Sequence, residues 1–156
     1  MKRRYPWWIV GFVLLLWTGD RLGGLALRQL TDRSGFRYAR QYRGAAQADV
    51  VLAGNSRGLC FYQPEIERLT GQKTYNLSYN GLSAELFEAL WRDYLAQYPK
   101  PRTLLVEITM CYRSGDALIA GMTPFAKPGS ALDALIRQRS PEVWRGARLS
   151  ALFRHN

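Results

Sequence analysis

Ala48-Asp49-Val50-Val51-Leu52-Ala53-Gly54-Asn55-Ser56-Arg57-Gly58 is the stretch that decides the fold. A short apolar run rich in β-branched residues rises to a glycine, and a serine follows two positions later. Apolar runs of this length bounded by Gly read as buried strands. Gly54 and Gly58 permit a sharp strand-to-helix turn that holds a serine hydroxyl at the carboxyl end of a sheet, where open α/β sheets place their sites. Ser56 is therefore the candidate nucleophile. The same residues also suit an ordinary βα turn, which uses Gly and Ser for their backbone preferences.

Downstream, the elements alternate. Pro64 marks the first turn of a helix that ends at Gly71. A second strand covers 73–77, and the loop Ser78-Tyr79-Asn80-Gly81-Leu82 follows it. Ser83 caps a helix to about Gln97, with Leu86, Phe87, Leu90, Trp91, Tyr94 and Leu95 at helical spacing. Pro99 and Pro101 end it, and a third strand covers 103–108. The βαβαβ order with short links predicts an α/β fold with a parallel, three-layer sheet and the first strand in the middle. Residues 114–129 read as a long loop that lines a site or meets a partner. Ser130 with Asp133 and then Pro141 open two further helices.

Upstream, Lys2-Arg3-Arg4 precede an apolar run from Trp7 to Trp17. The uncharged part, 5–19, is shorter than the about 20 residues a membrane span needs, but apolar character resumes at Leu22 after Asp20-Arg21. Two readings are open. One is an uncleaved anchor over 1–27 with Trp7, Trp8 and Trp17 at the interfaces. The other is a cleaved signal peptide with Gly24 and Ala26 before the cut. Basic residues ahead of the run keep the amino terminus in the cytoplasm, which puts the rest outside. Residues 28–47 form a basic connecting segment, and 48–156 the α/β domain.

The 156 residues carry 22 Lys+Arg against 12 Asp+Glu, a formal charge of +10. The excess is nearly all scattered arginine with no compact basic block outside the amino terminus, which argues against nucleic acid and for anionic lipid or an anionic polymer as the partner, with a merely solvated basic face the alternative. Cys60 and Cys111 each fall just beyond a strand, and both a disulfide and two buried free thiols fit that placement. There is no Cys/His cluster, and His155 is the only histidine, so neither a metal nor a cofactor is expected.

The blocks Val51-Leu52-Ala53-Gly54-Asn55-Ser56-Arg57, Tyr75-Asn76-Leu77-Ser78-Tyr79-Asn80-Gly81 and Thr103-Leu104-Leu105-Val106-Glu107-Ile108 together resemble the SGNH/GDSL-type hydrolase superfamily. More narrowly they resemble its membrane-anchored branch associated with acylation of cell-surface polysaccharides. The likeness spans 46–112. It implies a serine esterase or O-acyltransferase in the cytoplasmic membrane of a bacterium, with its domain in the periplasm or outside. An acylated glycan would be the substrate, and a membrane-bound O-acyltransferase or polysaccharide-synthesis protein a partner. It implies Ser56 as nucleophile and the Gly81 N–H as an oxyanion donor, with Asn80 a poor stand-in for the family's oxyanion asparagine. The family's Gly-x-Asn-Asp block is absent; Glu107-Ile108-Thr109-Met110-Cys111-Tyr112 stands there. Its Asp-x-x-His block is also missing, since Leu152 lies three before His155. The expectation is an amino-terminal part of such a domain, incomplete without that element. The alternatives are a non-catalytic accessory protein of envelope polysaccharide synthesis and, ranked last, a phosphate-binding module. Glu107 is expected to pair with an arginine rather than to take part in catalysis.

Overall fold

The computed structural model describes residues 7–155; the basic cluster Lys2-Arg3-Arg4 lies outside them. The chain is a mixed α/β structure around a three-stranded parallel sheet. Seven helices and the strands β1 (Val50–Ala53), β2 (Thr74–Asn76) and β3 (Thr103–Val106) follow in the order α1 (Trp7–Arg33), α2 (Arg37–Tyr42), β1, α3 (Gln63–Thr70), β2, α4 (Ala84–Gln97), β3, α5 (Asp116–Ala120), α6 (Ala131–Arg139), α7 (Pro141–Leu149). The strand order is β2-β1-β3, with Val51 opposite Tyr75 on one side and Leu104 on the other. The expected central position of the first strand holds. So do the expected starts of helices: Pro64 lies in the first turn of α3, and Gly71 ends that helix at φ +66°. The Ser83 and Ser130 hydroxyls cap α4 and α6 by accepting from Leu86 N–H (3.2 Å) and Asp133 N–H (3.1 Å).

Alternation along the strands sorts the sheet into two faces. Val51 and Tyr75 join the main core with Leu77, Leu86, Leu90, Tyr94 and Ile136. Thr74 and Asn76 belong to the opposite face, where the 57–63 segment lies: Asn76 Nδ2 donates to the carbonyls of Gly58 (3.0 Å) and Phe61 (3.3 Å). The outer edge of β2 is occupied by side chains. Gln63 donates to Thr74 O, Glu67 accepts from Thr74 N–H, and Arg37 donates to Asn76 O. β3 is exposed along its whole length.

Two segments depart from the sequence expectation. Residues 36–46, expected to connect, are core: Tyr38, Ala39, Gln41, Tyr42 and Ala46 are buried. Tyrosines hold this segment in place. Tyr38 hydroxyl donates to Leu77 O (2.9 Å), Tyr94 hydroxyl to Ala46 O (3.2 Å), and Tyr42 hydroxyl to Asp93, which also accepts from the first N–H groups of α6. Phe36, Tyr38, Tyr79 and Phe125 form an aromatic cluster with centroids 5.0–6.3 Å apart. Residues 114–129, expected as a long loop, contain α5 and place Ile119, Met122 and Ala126 in the core. The buried-thiol reading of the cysteines also fails: Cys60 and Cys111 are both free and both exposed.

α1 is long and apolar enough to cross a membrane, and its large side chains from Trp7 to Trp17 are exposed. Its later turns are not bare. Asp20 accepts from the Ser150 hydroxyl, Ala151 N–H (2.8 Å) and Leu152 N–H (3.1 Å), while Arg21 donates to Leu149 O (3.0 Å). The carboxylate satisfies N–H groups that the turn after α7 would otherwise leave unpaired. Gly23 and Gly24 admit this turn. A β-carbon at Gly24 would meet the Ala151 β-carbon at 2.3 Å, and one at Gly23 would meet Leu152 Cδ2 at 2.8 Å. Gly24, one of the two small residues in the cleavage reading, thus lies in a contact surface.

Gly24→Leu is expected to lift the 150–155 turn off α1, because the clash includes Ala151 backbone atoms that cannot rotate away. In the detergent-solubilised full chain, trypsin should then cut faster at Arg148 and Arg154, with cutting at Arg68 unchanged. Unchanged cutting at all three would show that the turn docks by other means.

Candidate active site

β1 is fully buried, which fixes where its carboxyl end delivers the chain. Beyond Ala53, Gly54 is wedged: a β-carbon there would lie 2.7 Å from Glu107 Cβ and 2.9 Å from Gly58 Cα. Asn55 then turns the chain, its Oδ1 accepting from Arg57 N–H (2.9 Å). Asn and Asp favour such turns because their side chains mimic a backbone carbonyl. Ser56 follows at φ −56°, ψ −30°, the residue before a single 3-10 turn over Arg57–Cys60. Its side chain is exposed. Gly58 closes the turn against β2, since a β-carbon on it would lie 2.3 Å from Ser78 Oγ.

The loop after β2 repeats the device. Asn76 Oδ1 accepts from Ser78 N–H (2.9 Å), and Tyr79 N–H donates to Gly54 O (3.0 Å), joining the two strand ends. Asn80 and Gly81 are exposed beyond it. Gly81 sits at φ +75°, in the left-handed region that glycine enters without strain. Its N–H makes no intramolecular hydrogen bond among the described residues. The loop after β3 completes the edge. Asn55 Nδ2 donates to Thr109 O (3.1 Å), Cys111 and Tyr112 carbonyls accept from the first N–H groups of α4, and Ser114 hydroxyl donates to Gly81 O (3.1 Å). The three strand-end loops, carrying Ser56, Gly81 and 109–114, are thus tied to one another at the carboxyl edge of the sheet.

Among the described residues Glu107 has no arginine within ion-pair distance. Its Oε1 accepts from Thr109 N–H (2.8 Å), and its Oε2 is buried without a partner among the described residues. The Thr109 hydroxyl, with lesser help from the Thr109 N–H, the Arg57 charge and the Asn55 N–H, holds its carboxyl below the usual glutamate range, against the opposing effect of burial. An ionised carboxylate of lowered basicity is a poor proton acceptor at neutral pH. What Glu107 does is brace the 54–57 turn from the β3 side.

His155 is elsewhere. It lines a cavity between α1 and α7 that includes no residue of the 54–58 turn. Burial and the neighbouring Arg154 charge lower its pKa. Among the described residues no side chain hydrogen-bonds to Ser56 Oγ, and no cluster of three metal-ligating side chains exists. The residues that sequence reasoning missed are Asn76, Ser78 and Thr109. The Asn-x-Ser pattern of the first two is a legible turn signal; nothing in the sequence marks Thr109.

In comparisons with known proteins, no family model, no curated protein and no solved structure matches this chain. What the site does has to be argued from its own chemistry.

Gly58→Ala is expected to destabilise the fold by about 1–3 kcal/mol, the usual effect of overpacking. Ser78→Ala should be neutral or stabilising by up to about 1 kcal/mol, because it deletes a buried hydroxyl with no partner. Combining Gly58→Ala with Ser78→Gly should cost less than the sum of those two single changes, which denaturant unfolding of the double variant, its two singles and Ser78→Ala measures. Additive losses would contradict the close approach of the two residues.

Proposed function

We propose that this protein is a membrane-anchored, SGNH-like acyl-ester hydrolase or acyltransferase acting on an acylated envelope glycan. Its sheet is then part of a three-layer domain held outside the cytoplasmic membrane by α1, with the amino terminus inside. The observation that carries the reading is the exposed Ser56 on a braced turn at the end of the central strand, in the same loop cluster as the free Gly81 N–H. In this reading Ser56 Oγ attacks the ester carbonyl, and the tetrahedral oxyanion is stabilised by the Gly81 N–H and N–H groups of the serine's own turn. Such donors are effective because they are fixed before charge develops, and the Asn55 and Asn76 turns fix them here. Asn80 has no interaction that would aim it at the same oxygen.

A serine hydroxyl needs a base to lose its proton at neutral pH. Among the described residues no side chain hydrogen-bonds to Ser56 Oγ, Glu107 is engaged by Thr109, and His155 lies in another part of the fold, so the reading needs a base these groups do not supply. The lack of a base at Ser56 Oγ is also the observation that favours the second reading. In that reading the chain is a non-catalytic, membrane-anchored accessory protein of polysaccharide synthesis or modification, and the loop cluster is a docking surface.

Chemical rescue separates the two. The full chain alone should hydrolyse a short-chain aryl ester hardly faster than Ser56→Ala or His155→Ala. Added imidazole, a mobile substitute for the missing base, should raise Ser56-dependent turnover roughly ten-fold over Ser56→Ala, a small part of what a positioned base contributes. Equal rates for the chain and Ser56→Ala at every imidazole concentration would leave the accessory reading alone standing. Turnover without imidazole that vanishes in His155→Ala would instead identify His155 as the base.

A further inference from the structure

The cavity that contains His155 has a composition of its own. It encloses about 730 Å³, within the range of about 300–1,000 Å³ typical of ligand sites. Its walls come from the last turns of α1, from α2, from the 123–128 turn and from α7. Six cations line it, Arg21, Arg28, Arg43, Lys127, Arg148 and Arg154, against two carboxylates, Asp32 and Asp133. The carboxylates are already engaged, Asp32 with Arg28 (3.8 Å) and Asp133 with Arg148 (3.3 Å) and Trp144 Nε1 (3.0 Å). Arg43, Lys127 and Arg154 have no carboxylate within ion-pair distance among the described residues. Burial, together with the charges of Arg28 and Arg148, pulls the Arg154 guanidinium below its ordinary pKa. Cations drawn this close in a partly closed space repel one another, and an anion among them removes that cost.

Leu25, Phe125, Ile136 and Trp144 give the lining an apolar part, beside the polar Thr31, Thr123 and His155. The site therefore suits a ligand that is anionic at one end and apolar at the other. Its position says where that ligand comes from. The α1 side chains that line it, from Arg21 to Asp32, continue directly from the apolar stretch that ends at Gly19. In the anchor reading over 1–27 the last apolar turns of that helix, Leu22 to Leu27, adjoin the cavity, so it stands at the membrane surface.

We infer that this cavity is a binding site for the phosphate-bearing headgroup of an anionic membrane phospholipid, held by Arg21, Arg28, Arg43, Lys127, Arg148 and Arg154. The inference rests on the anchoring part of the function proposed above and is independent of Ser56. The bound headgroup ties α1, α2 and α7 together and fixes how the domain stands on the bilayer, beside the turn that Asp20 docks.

Two measurements on the full chain test it. Flotation with neutral phosphatidylcholine vesicles checks the anchor, and the chain and all variants should float. A chain that stays soluble would overturn the anchor and, with it, the lipid source. Native mass spectrometry of the detergent-solubilised chain then compares phosphatidylglycerol with phosphatidylcholine, and the expected result is preferential retention of the anionic lipid. Arg43→Glu with Lys127→Glu, both exposed and without a carboxylate partner, should weaken phosphatidylglycerol retention by about ten-fold or more, at about 1 kcal/mol per basic residue. Their melting temperature in detergent should match that of the parent chain. Arg92→Glu, on the exposed side of α4, should change nothing. Equal retention of the two lipids, or an equal loss in Arg92→Glu, would reduce the effect to diffuse charge and overturn the site. Inorganic phosphate binding as tightly as phosphatidylglycerol would overturn the lipid as its source.

Discussion

The arrangement at the sheet's carboxyl edge depends on one steric constraint: there is no room for a β-carbon at Gly54 or Gly58. Gly54 is pressed between Glu107 and Gly58, and Gly58 against Ser78. These contacts bring the ends of all three strands within reach of the turn that carries Ser56. The Tyr79 N–H to Gly54 O bond and the Asn55 bonds to Thr109 follow from that closeness. Interiors are packed like organic crystals, so a turn clamped on two sides has little freedom left. The exposed serine is therefore presented by buried, rigid neighbours.

The electrostatics of the edge bear on what chemistry is open to it. Hydrogen bonds from Thr109 and the charge of Arg57 lower the Glu107 pKa. That suits a carboxylate that braces a turn. Among the described residues no side chain hydrogen-bonds to Ser56 Oγ, so the chemistry proposed for the edge rests on its backbone geometry.

Away from that turn, α1 and the domain share structure. Asp20 and the Gly23-Gly24 pair receive the turn after α7, so the helix long and apolar enough to cross a membrane is also a wall of the basic cavity. Five of the scattered arginines, Arg21, Arg28, Arg43, Arg148 and Arg154, line it. Residues far apart in the sequence become one basic surface once α1, α2 and α7 are brought side by side.

The sequence by itself determined the local elements. Apolar runs between glycines marked the strands, Ser83, Ser130, Pro64 and Pro141 marked helix starts, and Gly54-Asn55-Ser56 marked the turn, because each signal acts over a few residues of backbone. The strand order was also legible, since short parallel crossovers leave few arrangements. Only the tertiary structure decided the rest. The segment 36–46 looks basic and polar, yet Tyr38 is buried with its hydroxyl donating to Leu77 O, and Gln41 with its Nε2 donating to Leu90 O, both partners far along the chain. Glu107 looked like an arginine's partner, and a threonine two residues away claimed it. Asp20 looked like a charge at the end of a membrane segment, and it proved to be the acceptor for a turn some 130 residues later. Patterns within the sequence cannot carry such information, because the partner that satisfies a buried polar group is chosen by the fold and not by its neighbours in the chain.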